Sequence, residues 1–291
     1  MNLQWFPGHM AKTRRLISEQ LGRIDVVLEI VDARAPKASR NPEIDEITKG
    51  KPRVIAINKS DLADSVRTAE WVEYFQGLGI VMVPISSISG ENFGALKNEL
   101  KAACKDKQDR SVERGMTGRA IKILVMGIPN VGKSAFINKF SGRGVMETGD
   151  RPGVTRNPQW IRLAEGYDLL DTPGVLWPKF DDEQTALALA WTGAIKDEIM
   201  DTAEVAVRLC DYLMDNYEKE LRERYKLEWK DENEEEYAFR GYEILLEIGR
   251  KRGCIIAGGE VDEHRAAGIV LDEFRAAKIG KMTVERVRED D

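Results

Sequence analysis

"IAINKSD" (residues 55–61) is the stretch on which the fold turns. It begins inside an apolar, β-branched run, "RVIAI" (53–57), and closes in a polar quartet. Short runs of this kind read as buried strands. Two more flank it, "DVVLEIVDAR" (25–34) and "IVMVPIS" (80–86). Helical spacing fills the intervals: 10–23, 42–49, and 64–78 with Trp71, Tyr74 and Phe75 as apolar anchors. A further helix spans 92–105. Strands alternating with helices of this length predict a parallel sheet covered on both faces. The alternation then pauses at "KDKQDRSVERGMTGRA" (105–120), which lacks apolar periodicity and is expected to be a linker. It resumes with a strand at 121–126, a glycine-bearing loop, and a helix at 133–140. A long loop (141–158) leads to strands near 159–163 and 167–170.

The loop is "GIPNVGKS" (127–134), which fits G-x-x-x-x-G-K-[ST] between a strand and a helix. Gly127 and Gly132 let backbone N–H groups converge on phosphates without a Cβ in the way, with Asn130 and Val131 between them. Lys133 is expected to reach the β- and γ-phosphates, and the Ser134 hydroxyl a Mg²⁺ ion. "LLDTPGV" (169–175) adds D-x-x-G, with Asp171 as a magnesium residue and the Gly174 N–H facing the γ-phosphate. Between them, "GDRPGVTRN" (149–157) offers Thr155, with Thr148 as its rival, as the hydroxyl that joins Mg²⁺ when the γ-phosphate is present.

The quartet "NKSD" belongs to the same machine. Asp61 can accept two hydrogen bonds from guanine N1 and N2, which adenine does not supply. Asn58 is expected at the opposite base edge, and the Lys59 stem over the ring. In "ISSISGEN" (85–92), Ser86 and Ser87 are expected to turn a backbone N–H towards the guanine oxygen. The order is therefore base reader, second base loop, phosphate loop, magnesium threonine, D-x-x-G. An ordinary GTPase domain places the phosphate loop first. The reading is an α/β fold, a circularly permuted Ras-like GTPase domain with a parallel-rich sheet and helices on both faces, followed by a smaller all-α domain. It places the GTPase domain at 1–180, with an arm at 1–22 and a linker at 105–119, and the helical domain at 181–291.

The chain of 291 residues has room for both. Its net charge of −6 means that no overall field draws it to nucleic acid, so any RNA contact needs local basic patches. Residues 201–291 carry 16 basic against 24 acidic side chains, which concentrates the acidity in the tail. No apolar run is long enough to span a bilayer, and three scattered cysteines form neither a disulfide framework nor a C-x-x-C metal site. These features predict a cytoplasmic protein without a membrane contact; a monomer is expected, though none of these features fixes the oligomeric state.

With "WFPGHM" (5–10), "DARAPKASRNP" (32–42), "NKSD", "GIPNVGKS", "PGVTR" and "DTPGVLWP" in hand, the chain resembles the circularly permuted GTPases of ribosome assembly. The resemblance implies hydrolysis of GTP to GDP and a role in maturing the large ribosomal subunit by docking on its RNA. It implies a helical RNA-binding tail, for which 250–252, Arg275, Lys278, Lys281, Arg286 and Arg288 are the candidate contacts. In GTPases with this loop, an Asn at position 130 goes with K⁺ near the β/γ bridge. The rival readings are a GTPase of another RNA-linked process, such as tRNA modification or translation, and a non-catalytic nucleotide-dependent scaffold. Many GTPases orient the attacking water with a Gln after the D-x-x-G glycine. Here that residue is Val175, and His9, in the arm, is the candidate replacement.

Overall fold

The computed structural model describes residues 7–113, 115, 116, 118–142, 159–163, 166–174, 182–228 and 239–287, with side chains from residue 14 onwards. The chain divides into two compact units, Met1–Asp182 with Thr283–Asp291, and Glu183–Met282.

The first unit is built on a six-stranded sheet. In chain order its strands are β1 (Val26–Asp32), β2 (Arg53–Asn58), β3 (Val81–Pro84), β4 (Ile121–Met126), β5 (Gln159–Leu163) and β6 (Tyr167–Asp171). Their spatial order is β3-β2-β1-β4-β6-β5, and all pairs are parallel except β5 with β6. All seven residues of β1 are buried, as expected of a central strand covered on both faces. The helices are α1 (Pro7–Leu21), α2 (Pro42–Ile47), α3 (Ser65–Gly77), α4 (Phe93–Ala103), α5 (Lys105–Glu113) and α6 (Lys133–Ser141). Asn41 caps α2 and Asp64 caps α3 through side-chain oxygens, while Pro7 and Pro42 occupy first turns, where a missing N–H costs nothing. Trp71 and Phe75 of α3 pack on Val31, Ile55 and Ile57; Ile17 of α1 and Ile44 of α2 pack on Val27, Leu124 and Leu170.

β1 and β4 lie side by side at the sheet centre. From β1 the chain winds outward through β2 and β3; from β4 it continues to β6 on the other side. Ligands of open parallel sheets bind beyond the strand carboxyl ends at such a reversal. Asp32, Asn58, Gly127 and Asp171 stand at or just past those ends.

The second unit is helical among its described residues: α7 (Glu183–Trp191), α8 (Thr202–Asn216), α9 (Glu218–Tyr225), α10 (Arg240–Lys251) and α11 (Glu263–Arg275). Buried Leu209, Cys210 and Leu213 of α8 mark the centre, with α10 and α11 packed against that helix. Gly241 makes the closest approach possible: a Cβ there would lie 2.4 Å from the Val207 carbonyl oxygen. No described helix is long and apolar enough to cross a membrane.

Two expectations change. Residues 105–113 form helix α5 rather than a linker. Its anchor is charged: Lys107 pairs with buried Asp25 at 2.5 Å, and Arg119, beyond the end of the helix, pairs with the same carboxylate at 2.9 Å. An apolar period has nothing to register in such a segment. The other change is at the C-terminus, where Thr283–Val287 joins the first unit rather than the helical one. Val284 N–H donates to the Arg34 carbonyl (2.7 Å), Thr283 Oγ1 donates to the Ala33 carbonyl (3.0 Å), and Val287 packs beside α3.

Candidate active site

The phosphate loop leaves β4 at Gly127, whose φ is +150°. A Cβ there would sit 2.5 Å from the Ile30 carbonyl oxygen of β1, so only glycine fits against the neighbouring strand. Asn130 adopts the left-handed conformation that Asn tolerates, with φ at 61°. Gly132 (φ +93°) leaves room for the Asn58 amide, which a Cβ would approach to 2.3 Å. Lys133, buried at the start of α6, folds back to donate to the Gly127 and Ile128 carbonyls at 2.9 and 2.8 Å. Burial pushes its pKa down to about 8, opposed by the Asp171 carboxylate. Asp171 itself is fully buried at the end of β6, and Ser134 is partly exposed on α6. Gly174 closes this end of the site. A Cβ on it would come within 2.7 Å of Lys133 Nζ and 2.9 Å of the Pro129 nitrogen.

The base end is built differently. Asn58 spends both poles of its amide inside the protein: Nδ2 donates to the Val131 carbonyl (2.7 Å), and Oδ1 accepts from the Ser87 N–H (3.0 Å) and hydroxyl (2.8 Å). It therefore ties the second base loop to the phosphate loop, and one Nδ2 hydrogen remains beyond the Val131 bond. The Ser87 N–H is committed to that bond, and the Ser86 N–H donates to Glu91 O at 3.4 Å, so neither is aimed at a base oxygen. Lys59 sits in the left-handed region (φ 61°), where it caps the short 3₁₀ turn Ser60–Leu62 that carries Asp61. Its ammonium donates to the Asn130 carbonyl (2.6 Å) and pairs with Asp32 (2.9 Å). Asp61 is partly exposed, and no hydrogen bond or ion pair joins its carboxylate to another described residue.

A phosphate loop, a D-x-x-G glycine packed on it and a base loop braced to it thus share one end of one sheet. A family model described as "50S ribosome-binding GTPase" matches residues 122–239. "Ribosome biogenesis GTPase A" of Bacillus cereus is 46% identical over 289 residues, covering 99% of this chain and 95% of that one. The chain belongs to the ribosome biogenesis GTPase A family. The Thermotoga maritima member is 30% identical over 98% of this chain and 94% of its own. Among solved structures, GNP-bound YlqF from T. maritima aligns with a TM-score of 0.64 at 27% identity, covering 94% of this chain and 98% of that one. GDP-bound TM YlqF aligns at 0.65, also at 27% identity, covering 95% and 100%. The protein is accordingly a GTPase that binds guanine nucleotide and works in ribosome assembly.

Four parts of the expected family site lie outside the described residues: Thr155, its rival Thr148, Val175 and the His9 side chain, although the His9 backbone belongs to α1. Of the proposed RNA contacts, Arg275 is structural. Its guanidinium donates to the Ala190 and Trp191 carbonyls, at 3.0 and 3.2 Å, and pairs with Asp197. Lys251 pairs with Glu247, and Arg252 with Glu273 while lying over the Tyr225 ring. Arg250, Lys278, Lys281 and Arg286 are exposed; Arg288 is outside the described residues. The sequence reading also passed over Asp32 and Arg34. Both are almost wholly buried and form a bidentate pair beside Lys59, and the signal available was the "DAR" that ends β1.

Proposed function

We propose that this GTPase binds the large ribosomal subunit, promotes a late step in its maturation, and hydrolyses GTP rapidly only on the subunit. The observation that supports the reading is the place of Gly174. It packs against Lys133 and Pro129, and the chain runs from it through 175–182 directly into α7. A rearrangement at the γ-phosphate is therefore passed to the helical unit through a few residues of chain. The side chain after Gly174 is Val175, which can neither donate nor accept, so an unassisted site turns over slowly. His9 is proposed to orient the water once the subunit brings it to the γ-phosphate.

Ser134, Asp171 and Thr155 are the proposed magnesium residues. The first two offer a hydroxyl and a carboxylate, the hard oxygen donors that Mg²⁺ prefers. The ion would neutralise charge on the β- and γ-phosphates. Lys133 would turn from its loop carbonyls to the phosphates, and Asp61 would read guanine. K⁺ beside Asn130 completes the proposed set, and replacing it with Na⁺ should slow turnover. The exposed cations Arg250, Lys278 and Lys281 are proposed RNA contacts of a protein acting as a cytoplasmic monomer.

The test is co-sedimentation with purified large subunits, with GDP and a non-hydrolysable GTP analogue side by side, alongside phosphate release with and without subunits. The expected result is nucleotide-dependent binding and strong stimulation. His9→Ala should keep binding and lose most of the stimulated rate. Equal rates with and without subunits would end the reading, and a His9→Ala variant stimulated like the parent would remove His9 from it.

A further inference from the structure

We propose that Asp32 is a positioning residue of the guanine-nucleotide site, acting through Lys59 on the turn that carries Asp61. Asp32 ends β1 beside the carboxyl end of β2, where its backbone pairs with Asn58. Its carboxylate is 3% exposed and accepts four hydrogen bonds. Oδ1 takes the Arg34 N–H and Nε, at 3.0 and 2.9 Å; Oδ2 takes Arg34 Nη2 at 2.7 Å and Lys59 Nζ at 2.9 Å. Burial alone would raise the pKa of this acid. The Arg34 guanidinium and the Lys59 ammonium more than reverse that, holding it well below the usual carboxylate range. Asp32 is therefore a fixed negative charge at working pH.

That charge has a specific task. Lys59 is held at φ 61°, a left-handed backbone conformation that disfavours a side-chain-bearing residue. It is also the cap of the turn from which Asp61 projects. The ammonium reaches Asp32 on one side and the Asn130 carbonyl of the phosphate loop on the other. Without Asp32 the ammonium loses its carboxylate partner, and the turn is held against the phosphate loop less firmly. The Asp32 loop is itself pinned: Asp32 N–H donates to Ser39 Oγ (2.9 Å), and the C-terminal segment bonds to the Arg34 carbonyl. The Asp32 carboxylate is buried and taken up by Arg34 and Lys59, so its effect on the nucleotide is indirect.

The test is a double-mutant cycle on GDP affinity in the full-length protein, with Asp32→Asn, Lys59→Met and the pair. Asp32→Asn keeps the shape and removes the charge. It should weaken GDP binding by about 10- to 100-fold, by analogy with the effect of outer-shell partners on metal sites. In the Lys59→Met background the same change should weaken binding by less than about twofold, because the residue it acts through is gone. A generally loosened fold would instead give the same loss in both backgrounds. Parent affinity in a folded Asp32→Asn protein overturns the proposal, and so does an equal loss in both backgrounds. If Asp32→Asn does not fold, Asp32→Glu, which keeps the charge and displaces it by one methylene, replaces it in the cycle under the same criteria.

Discussion

Lys133 at the phosphate end of the site and Lys59 at the base end are both held against the same loop, by opposite means. Lys133 is buried among backbone carbonyls, with one carboxylate nearby, and its affinity for a proton is lowered. Lys59 is part-exposed and locked into a saturated ion pair. The first is a cation stored for a ligand that will complete its surroundings; the second is a brace already complete without one. The phosphate end should therefore respond to nucleotide, and the base end should hold its shape. Catalysis and selectivity can then be lost separately.

Selectivity should break by the largest factor. Asp61→Asn turns the acceptor that reads guanine N1 and N2 into a mixed donor and acceptor. A site built to hydrogen-bond its substrate rejects a mismatched one by about 10⁴-fold or more. Asp61→Asn should accordingly bind GTP far more weakly and prefer xanthine nucleotides, as measured by competition binding. Unchanged GTP affinity would take Asp61 out of the site and leave the base end a brace with nothing to aim.

Lys133→Ala attacks the other end. Among the described residues its ammonium bonds only to loop carbonyls, so the sheet should survive the change. Hydrolysis should fall by about 10²- to 10³-fold, the usual cost of removing one preorganised donor to developing charge. Single-turnover phosphate release with circular dichroism as the fold control checks this. A variant that hydrolyses GTP like the parent would show that the stored cation is never delivered.

The same comparison shows what was legible in the sequence and what was not. The phosphate loop, D-x-x-G and "NKSD" could be read, with their places at strand ends, because each is a short contiguous pattern beside an apolar run. Their reversed order gave the permutation. The role of Asn58 could not be read, because its partners, Val131 and Ser87, come from segments distant in sequence. Neither could the return of Thr283–Val287, which forms no regular element and bonds to loop carbonyls and amides that any sequence would offer. Helix α5 was hidden for a third reason, being tied to Asp25 through the charged Lys107 in place of an apolar stripe.

The lowered proton affinity of Lys133 makes a smaller prediction with a definite sign. In the free protein its pKa is about 8, against an ordinary 10.5, so it is largely neutral at pH 9. Bound phosphates restore the charge. Between those two values each nucleotide bound takes up close to one proton, and affinity should fall by about tenfold per pH unit above 8. Calorimetry at pH 8.5 in buffers of different ionisation heat measures the uptake. Lys133→Arg, which stays charged, should abolish it; an equal uptake in that variant would place the titrating group elsewhere.

The smallest expected effect tests how far the bracing of the base end extends. Glu285, in the returning C-terminal segment, accepts the Lys37 and Ala38 N–H groups at 2.7 and 2.8 Å. Trp71 Nε1 reaches the Glu285 carbonyl at 3.4 Å. Those amides lie in the loop that leaves Arg34, so the carboxylate steadies the far end of the loop whose near end holds Lys59. Charge-assisted bonds to backbone contribute about 1.5–3 kcal/mol when buried, and these are part-exposed, which puts their joint effect at about 1 kcal/mol. Glu285→Ala should speed hydrogen exchange at Lys37 and Ala38 about fivefold, as that energy implies. GDP affinity should fall by no more than a few-fold, and the proton uptake at Lys133 should stay as it was. Faster exchange with unchanged affinity would confine the brace to Asp32, Arg34 and Lys59. A change in the Lys133 uptake would mean that the two ends of the site are coupled, and the distinction between a stored cation and a finished brace would fall.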